Sequence, residues 1–175
     1  MDECYFGPKA KGRGPGMHKE KVAVVEMVER ESGQRRSVVM KRVTGGNILK
    51  VIDEHIEDGT MINTDQSGVY ARVPTWYGHR RVRHKVKGFK TGKAEYHRVD
   101  KDGQTVTTNY AESSFSLLRR GVIGTFHSLS SKYLPLYVAE FDMRFNLRKM
   151  IDGERMVAMI AKTAGKRTTL KQLKA

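Results

Sequence analysis

Cysteine is almost absent from this chain of 175 residues: Cys4 stands alone. An internal disulfide is therefore excluded, as is a zinc ribbon or finger, which needs several Cys or paired Cys and His ligands. A lone cysteine is more often a small buried hydrophobe than a nucleophile, and Cys4 is read that way. Long apolar runs are lacking too. The longest are short and broken by charges, so no membrane-spanning segment is expected. The opening Met1-Asp2-Glu3-Cys4 has neither the basic nor the apolar region of a signal peptide, and the cytoplasm is the expected location. Acid is in short supply: 19 Asp and Glu face 33 Lys and Arg, a formal charge of +14. An excess of that size attracts polyanions, nucleic acid first, because each phosphate contact releases counterions. An anionic membrane surface is the second candidate, and a merely solvated basic face the third.

The apolar pattern changes period along the chain. Val22 to Val28 and Arg35 to Val43 are β-rich and flank the turn Glu31-Ser32-Gly33-Gln34, which predicts an antiparallel hairpin. Thr44-Gly45-Gly46-Asn47 interrupts it. Ile48, Leu49, Ile52 and Ile56 follow at helical spacing to about Glu57. A short strand, Thr60 to Thr64, ends at Asp65. A short helix is expected between Ser67 and Trp76 and a strand over Arg81 to Val86, then a turn at Asp100-Lys101-Asp102-Gly103. Helices are expected from Tyr110 to Arg120, closed by Gly121, from Leu134 to about Arg148, and from about Gly153 to Ala164. The order predicts an α/β fold with a mixed sheet and flanking helices. The expected organisation is one domain over residues 1–150, then a C-terminal helix and basic tail over 151–175.

Three acids stand where a strand-based site would place them. Asp2 lies in the first extended segment, Asp65 at a strand end, and Glu112 in the first turn of the Tyr110 helix; in α/β sheets, ligands gather beyond strand ends. Three converging carboxylates repel one another, and hard divalent cations such as magnesium or manganese relieve that conflict. Each acid has a plainer reading. Asp65 would cap the helix that follows, Glu112 would close a capping box with Asn109, and Asp2 would be an exposed terminal residue. The residues alone leave both readings open.

The stretch from His79 to Arg98 is basic almost throughout. Arg80, Arg81, Arg83, His84, Lys85 and Lys87 would line a phosphate path, with Trp76 and Tyr77 available for stacking. Arg119, two helical turns after Glu112, faces roughly the same way and would hold DNA near the acids. Its plainer role is to complement the helix dipole. His127 would touch phosphate or act as an acid or base.

The stretch Asn109-Tyr110-Ala111-Glu112-Ser113-Ser114-Phe115-Ser116-Leu117-Leu118-Arg119-Arg120-Gly121 resembles the third acidic motif of bacterial insertion-sequence transposases of the ISXO-like branch. Gly124-Thr125-Phe126-His127, Tyr137-Val138-Ala139-Glu140-Phe141 and Arg144-Phe145-Asn146 continue the likeness. Asp2-Glu3-Cys4-Tyr5-Phe6-Gly7 is similar to the first motif and Asn63-Thr64-Asp65 to the second. The resemblance implies a ribonuclease H-like fold and a DDE transposase in which Asp2, Asp65 and Glu112 hold two magnesium or manganese ions. It implies hydrolysis of a phosphodiester and strand transfer into double-stranded DNA, in a nucleoid-associated protein that acts as a homodimer. Family members carry an end-recognition region ahead of the first acid, and the short N-terminal segment here leads to a second expectation, a truncated remnant that binds DNA without cutting it. A nuclease or resolvase on the same fold is the third.

Overall fold

The structure, a computed structural model, describes residues 1–7, 21–83, 97–169 and 172. Val22, Val24, Val25 and Val28 are β-branched, and strand β2 (Val22–Val28) runs through all of them. It is the centre of a three-stranded antiparallel sheet, flanked by β1 (Asp2–Phe6) and β3 (Arg35–Met40). Asp2 stands opposite Glu26, Cys4 opposite Val24, and Val25 opposite Val38.

Both faces of this sheet are covered, so alternate residues of β2 enter two different cores. On one face Cys4, Phe6 and Val24 pack with Ala111, Phe115 and Leu118 of helix α2 (Asn109–Gly121) and with Leu134 and Val138 of α3 (Leu134–Asn146). On the other, Val25 packs with Ile48 and Ile52 of α1 (Gly45–His55) and with Ile62, Tyr70 and Tyr77. Thr44 accepts the N–H of Asn47 on its hydroxyl at 3.2 Å. The Thr-Gly-Gly-Asn segment expected to interrupt the pattern is therefore the cap and first turn of α1.

Strand β4 (Met61–Thr64) pairs in parallel with β5 (Gly78–Arg81), joined by a crossover that contains a 3-10 turn, Gly68–Tyr70. The nitrogen of Met1 donates to the carbonyl of Asn63 at 2.8 Å, which lays the start of β1 beside β4. The fold is α/β as expected, but the strands form separate ladders rather than one mixed sheet: β1-β2-β3, β4-β5, and a small hairpin of β6 (Arg98–Val99) and β7 (Thr105–Val106). The strand expected over Arg81 to Val86 sits earlier, at β5, and residues 84–86 lie outside the described residues. A final helix, α4 (Asp152–Ala161), buries no residue fully. Among the described residues, no helix is long and apolar enough to cross a membrane.

Gly121 corrects the expectation that it ends α2 in a left-handed conformation. Its φ of −59° is helical, and the chain continues as a π-helical turn, Val122–Phe126. The glycine is needed for space, because a Cβ there would come within 2.5 Å of the Phe141 ring. Gly121→Ala should therefore push α2 and α3 apart and cost about 1–3 kcal/mol, an overpacking penalty larger than the gain from alanine's helix propensity. A denaturation midpoint equal to that of the wild type would show that the Phe141 ring yields freely.

Candidate active site

The strand alternation of β1 sorts its acids. Asp2 shares the face of Cys4 and Phe6, which pack against α2, while Glu3 points to the opposite core. There the buried Tyr70 hydroxyl donates to the Glu3 carboxylate. Asp65 follows β4 directly, and its Oδ1 accepts the N–H of Ser67 at 2.9 Å. This bond closes a local turn rather than the expected helix cap, because Ser67, not Asp65, caps the 3-10 turn. Burial pushes the Asp2 carboxyl up to about 7, and the negative charges of Glu3 and Asp65 push in the same direction. Burial raises Glu3 as well, and Asp65 adds to it. Asp2, Glu3 and Asp65 therefore form one electrostatic neighbourhood.

Glu112 stands in the first turn of α2. The cap of α2 is Thr108, one residue before the expected Asn109, and its hydroxyl donates to Glu112 Oε1 at 2.8 Å. Two polar contacts hold α2 to the sheet: Arg35 Nη1 donates to Ser114 Oγ, and Arg119 Nη2 donates to Cys4 Sγ at 2.8 Å. They set α2 across the sheet with Arg119 level with Cys4.

The donors are all carboxylate oxygens, which suits a hard divalent cation, and the repulsion between Asp2 and Asp65 is the kind that a cation relieves. Among the described residues, however, no three His, Cys, Asp or Glu side chains close into a group able to hold a metal ion. Asp2 and Asp65 are brought together, while the Glu112 carboxylate rests on the Thr108 hydroxyl.

The basic residues are distributed unevenly. Arg81 and Arg83 are exposed. Arg80 is engaged by Asp100, at 3.3 Å, and by Asp102 on the β6–β7 turn, so its charge is already matched. Arg119 is exposed overall, although its guanidinium tip rests on the buried Cys4 thiol. His127 is exposed and holds a φ of +57°, in the left-handed region that a residue with a Cβ enters at a cost. His84, Lys85 and Lys87 lie outside the described residues. Of the two aromatics offered for stacking, Trp76 is exposed, while Tyr77 is buried in the α1-side core with its hydroxyl 3.3 Å from the carbonyl of Ile56.

Sequence reasoning missed the buried polar cluster beneath α2. Glu26 and Arg35 are 2% and 5% exposed, too little for water to satisfy them. Arg35 Nε lies 2.8 Å from Asp142 Oδ1, and its Nη1 donates to Ser114 Oγ. Asp142 also accepts the N–H and hydroxyl of Ser37, at 2.7 and 2.8 Å. The available signal was a glutamate inside a valine-rich strand and an arginine at the start of the next.

These burials have a pH consequence. Burial pushes the Glu26 carboxyl up to about 7, from the 4.5 of an unperturbed glutamate. The folded state then binds that proton more tightly than the unfolded chain. The stability it contributes is full below about 4.5 and is lost as pH rises through about 7. The unfolding free energy of Glu26→Gln should therefore fall less than that of the wild type between pH 5 and pH 8 in urea titrations. Parallel pH slopes in the two proteins would contradict the assignment.

Asp2 and Asp65 thus meet where β1 lies beside β4, and α2 carries a third acid and two arginines. The chain belongs to the ISXO2-like transposase domain family, whose pattern it matches over residues 1–146. No curated protein matches it.

Proposed function

We propose that this transposase domain is a catalytic one of the DDE type, which hydrolyses a phosphodiester at a DNA end and transfers the strand to double-stranded DNA. What supports the reading is the pairing of two of the acids, since Asp65 is close enough to raise Asp2, together with the family match over residues 1–146. The Met1–Asn63 bond, which sets β1 beside β4, supports a ribonuclease H-like order β3-β2-β1-β4-β5.

In this reading Asp2, Asp65 and Glu112 hold two magnesium or manganese ions, with Glu112 turning from Thr108 toward Asp2. Such a pair activates an attacking oxygen and stabilises the leaving one. The other residues position DNA. Arg81, Arg83 and Arg119 meet phosphates, Trp76 offers an exposed ring for stacking, and His127 stands at the strained turn after α2. Its expected setting is the nucleoid, as a homodimer. The test is manganese-dependent nicking or joining of an end-labelled duplex, stopped by a chelator. A folded protein that binds duplex DNA and leaves it intact in manganese would exclude the catalytic reading.

A further inference from the structure

Helix α4 turns its apolar side outward. Gly153, Met156, Val157 and Ile160 recur at i, i+3, i+4 and i+7, which makes one stripe of a helix. Met156, Val157 and Ile160 are 59%, 63% and 60% exposed. The opposite side, with Arg155, Ala158 and Met159, is the partly buried one. Arg155 fastens that side by donating to the carbonyl of Met150 at 3.1 Å. Among the described residues, no residue of α4 belongs to either apolar core. The stripe also lies beyond residues 1–146, so the family pattern does not account for it. Contiguous apolar surface of this kind is what association removes from water.

The charges of α4 indicate what covers the stripe. Asp152 and Glu154 stand in its first turn, while Lys162 caps its end and is followed by Lys166 and Arg167. A helix that meets its own copy across a perpendicular two-fold axis runs antiparallel to it, so each end faces the opposite end of the other. Here that sets the acids of one copy beside the bases of the other, twice, and brings the helix dipoles together head to tail. The rest of the chain favours the same place. Two copies at +14 repel one another, whereas α4 holds two acids against one base, Arg155. An apolar stripe flanked by acids suits neither DNA phosphate nor an anionic lipid surface. Gly153 leaves room for close approach, since a Cβ there would meet nothing within 4 Å.

We propose that the exposed stripe of α4 is the contact between two copies of this chain, which pack α4 against α4 antiparallel about a two-fold axis near Val157. This gives the expected homodimer an interface, and it does not depend on the carboxylate reading: failure of either would leave the other standing. At 10 residues the helix is roughly 15 Å long. A pair of them covers less than the roughly 1,200 Å² of a standard interface, so monomer and dimer are expected to exchange.

The test is sedimentation equilibrium of the full chain, free of DNA, from about 10 μM to about 1 mM, the range of weak complexes. The wild type is expected to pass from monomer to dimer across that range. Ile160→Asp should weaken association by about tenfold or more, because it puts an unpaired charge into the apolar contact. Its thermal midpoint should match that of the wild type, since Ile160 is in neither core. The direction of packing is read from two single-cysteine variants, Val157→Cys and Gly153→Cys, under mild oxidation; Cys4 is buried and stays out of the reaction. Val157→Cys should link two copies covalently. Gly153→Cys should not, because four residues on each side of the axis separate the two Cα atoms by about 12 Å, beyond the roughly 7 Å reach of a disulfide. A wild type that stays monomeric throughout would overturn the proposal and leave the stripe to a different protein. A dimer that Ile160→Asp leaves intact would place the interface elsewhere and overturn it too. Equal linking at the two cysteines would mean parallel packing, which contradicts the charge pairing on which the proposal stands.

Discussion

Glu112→Gln is expected to lower manganese-dependent cleavage of a labelled duplex by about a thousandfold, equivalent to roughly 4 kcal/mol of barrier. The size follows from what a metal pair supplies, several kcal/mol of charge stabilisation at the reacting phosphate. Glutamine keeps the length of the side chain and can still accept from the Thr108 hydroxyl, so the start of α2 should remain as it is. Since Glu112 is exposed and outside the apolar core, stability should change by less than about 0.5 kcal/mol. Duplex binding should persist, because the exposed arginines are untouched. The paired measurement is the cleavage rate and a salt-dependent binding constant for the same preparations. Cleavage at the wild-type rate would remove Glu112 from the site. The third carboxylate would then be sought at Glu3, which already shares the neighbourhood of Asp65. A well-folded wild type with no cleavage, and binding that weakens steeply with salt, would point instead to a protein that only coats DNA.

Much of the fold was legible because the local signals were strong. Four β-branched valines gave β2 with the observed limits, Val22–Val28, and the i, i+4, i+8 stripe of Tyr137, Phe141 and Phe145 gave α3. The three acids were legible as candidates from their places at strand ends and in a helix's first turn. Legibility failed where the deciding contact was distant in sequence. Gly121 reads locally as a helix stop, since the residue is the commonest one there. Only the Phe141 ring, packed against it from another helix, reveals why a side chain is excluded. Tyr77 reads as an available ring beside Trp76, until Ile48 and Ile52 of α1 cover it. Arg80 reads as one more free cation, but the β6–β7 turn brings Asp100 and Asp102 to it across a long sequence gap. In each case the residue type was informative and the partner was invisible.

The largest stability effect is expected at Arg35. Arg35→Met should cost about 3–5 kcal/mol near pH 8, the range found when one partner of a buried ion pair is removed. Two carboxylates depend on this guanidinium, that of the buried Glu26, with Oε2 at 4.0 Å, and that of the half-buried Asp142, with Oδ1 at 2.8 Å. It also donates to Ser114 and lies 4.8 Å from the centre of the Phe145 ring. Methionine can fill much of the volume and keep the contact with that ring, but it leaves both acids without their cation. Glu26 and Asp142 are already raised by burial, with Arg35 opposing the rise, so its loss moves both further up. They would then take up protons in the folded state, and the penalty should shrink as pH falls toward 5. Against a typical domain stability of about 5–15 kcal/mol, the loss at pH 8 is about a fifth or more, a drop of roughly 10 °C in midpoint for a chain of this size. Glu26→Gln in the same background should restore part of it by removing one of the stranded charges, giving a favourable coupling in a double-mutant cycle. Urea titrations of the four proteins at pH 5 and pH 8 supply both comparisons. If Arg35→Met proved as stable as the wild type at pH 8, the cluster would be a replaceable ion pair. The hold of β3 on α2 and α3 would then have to come from apolar packing alone.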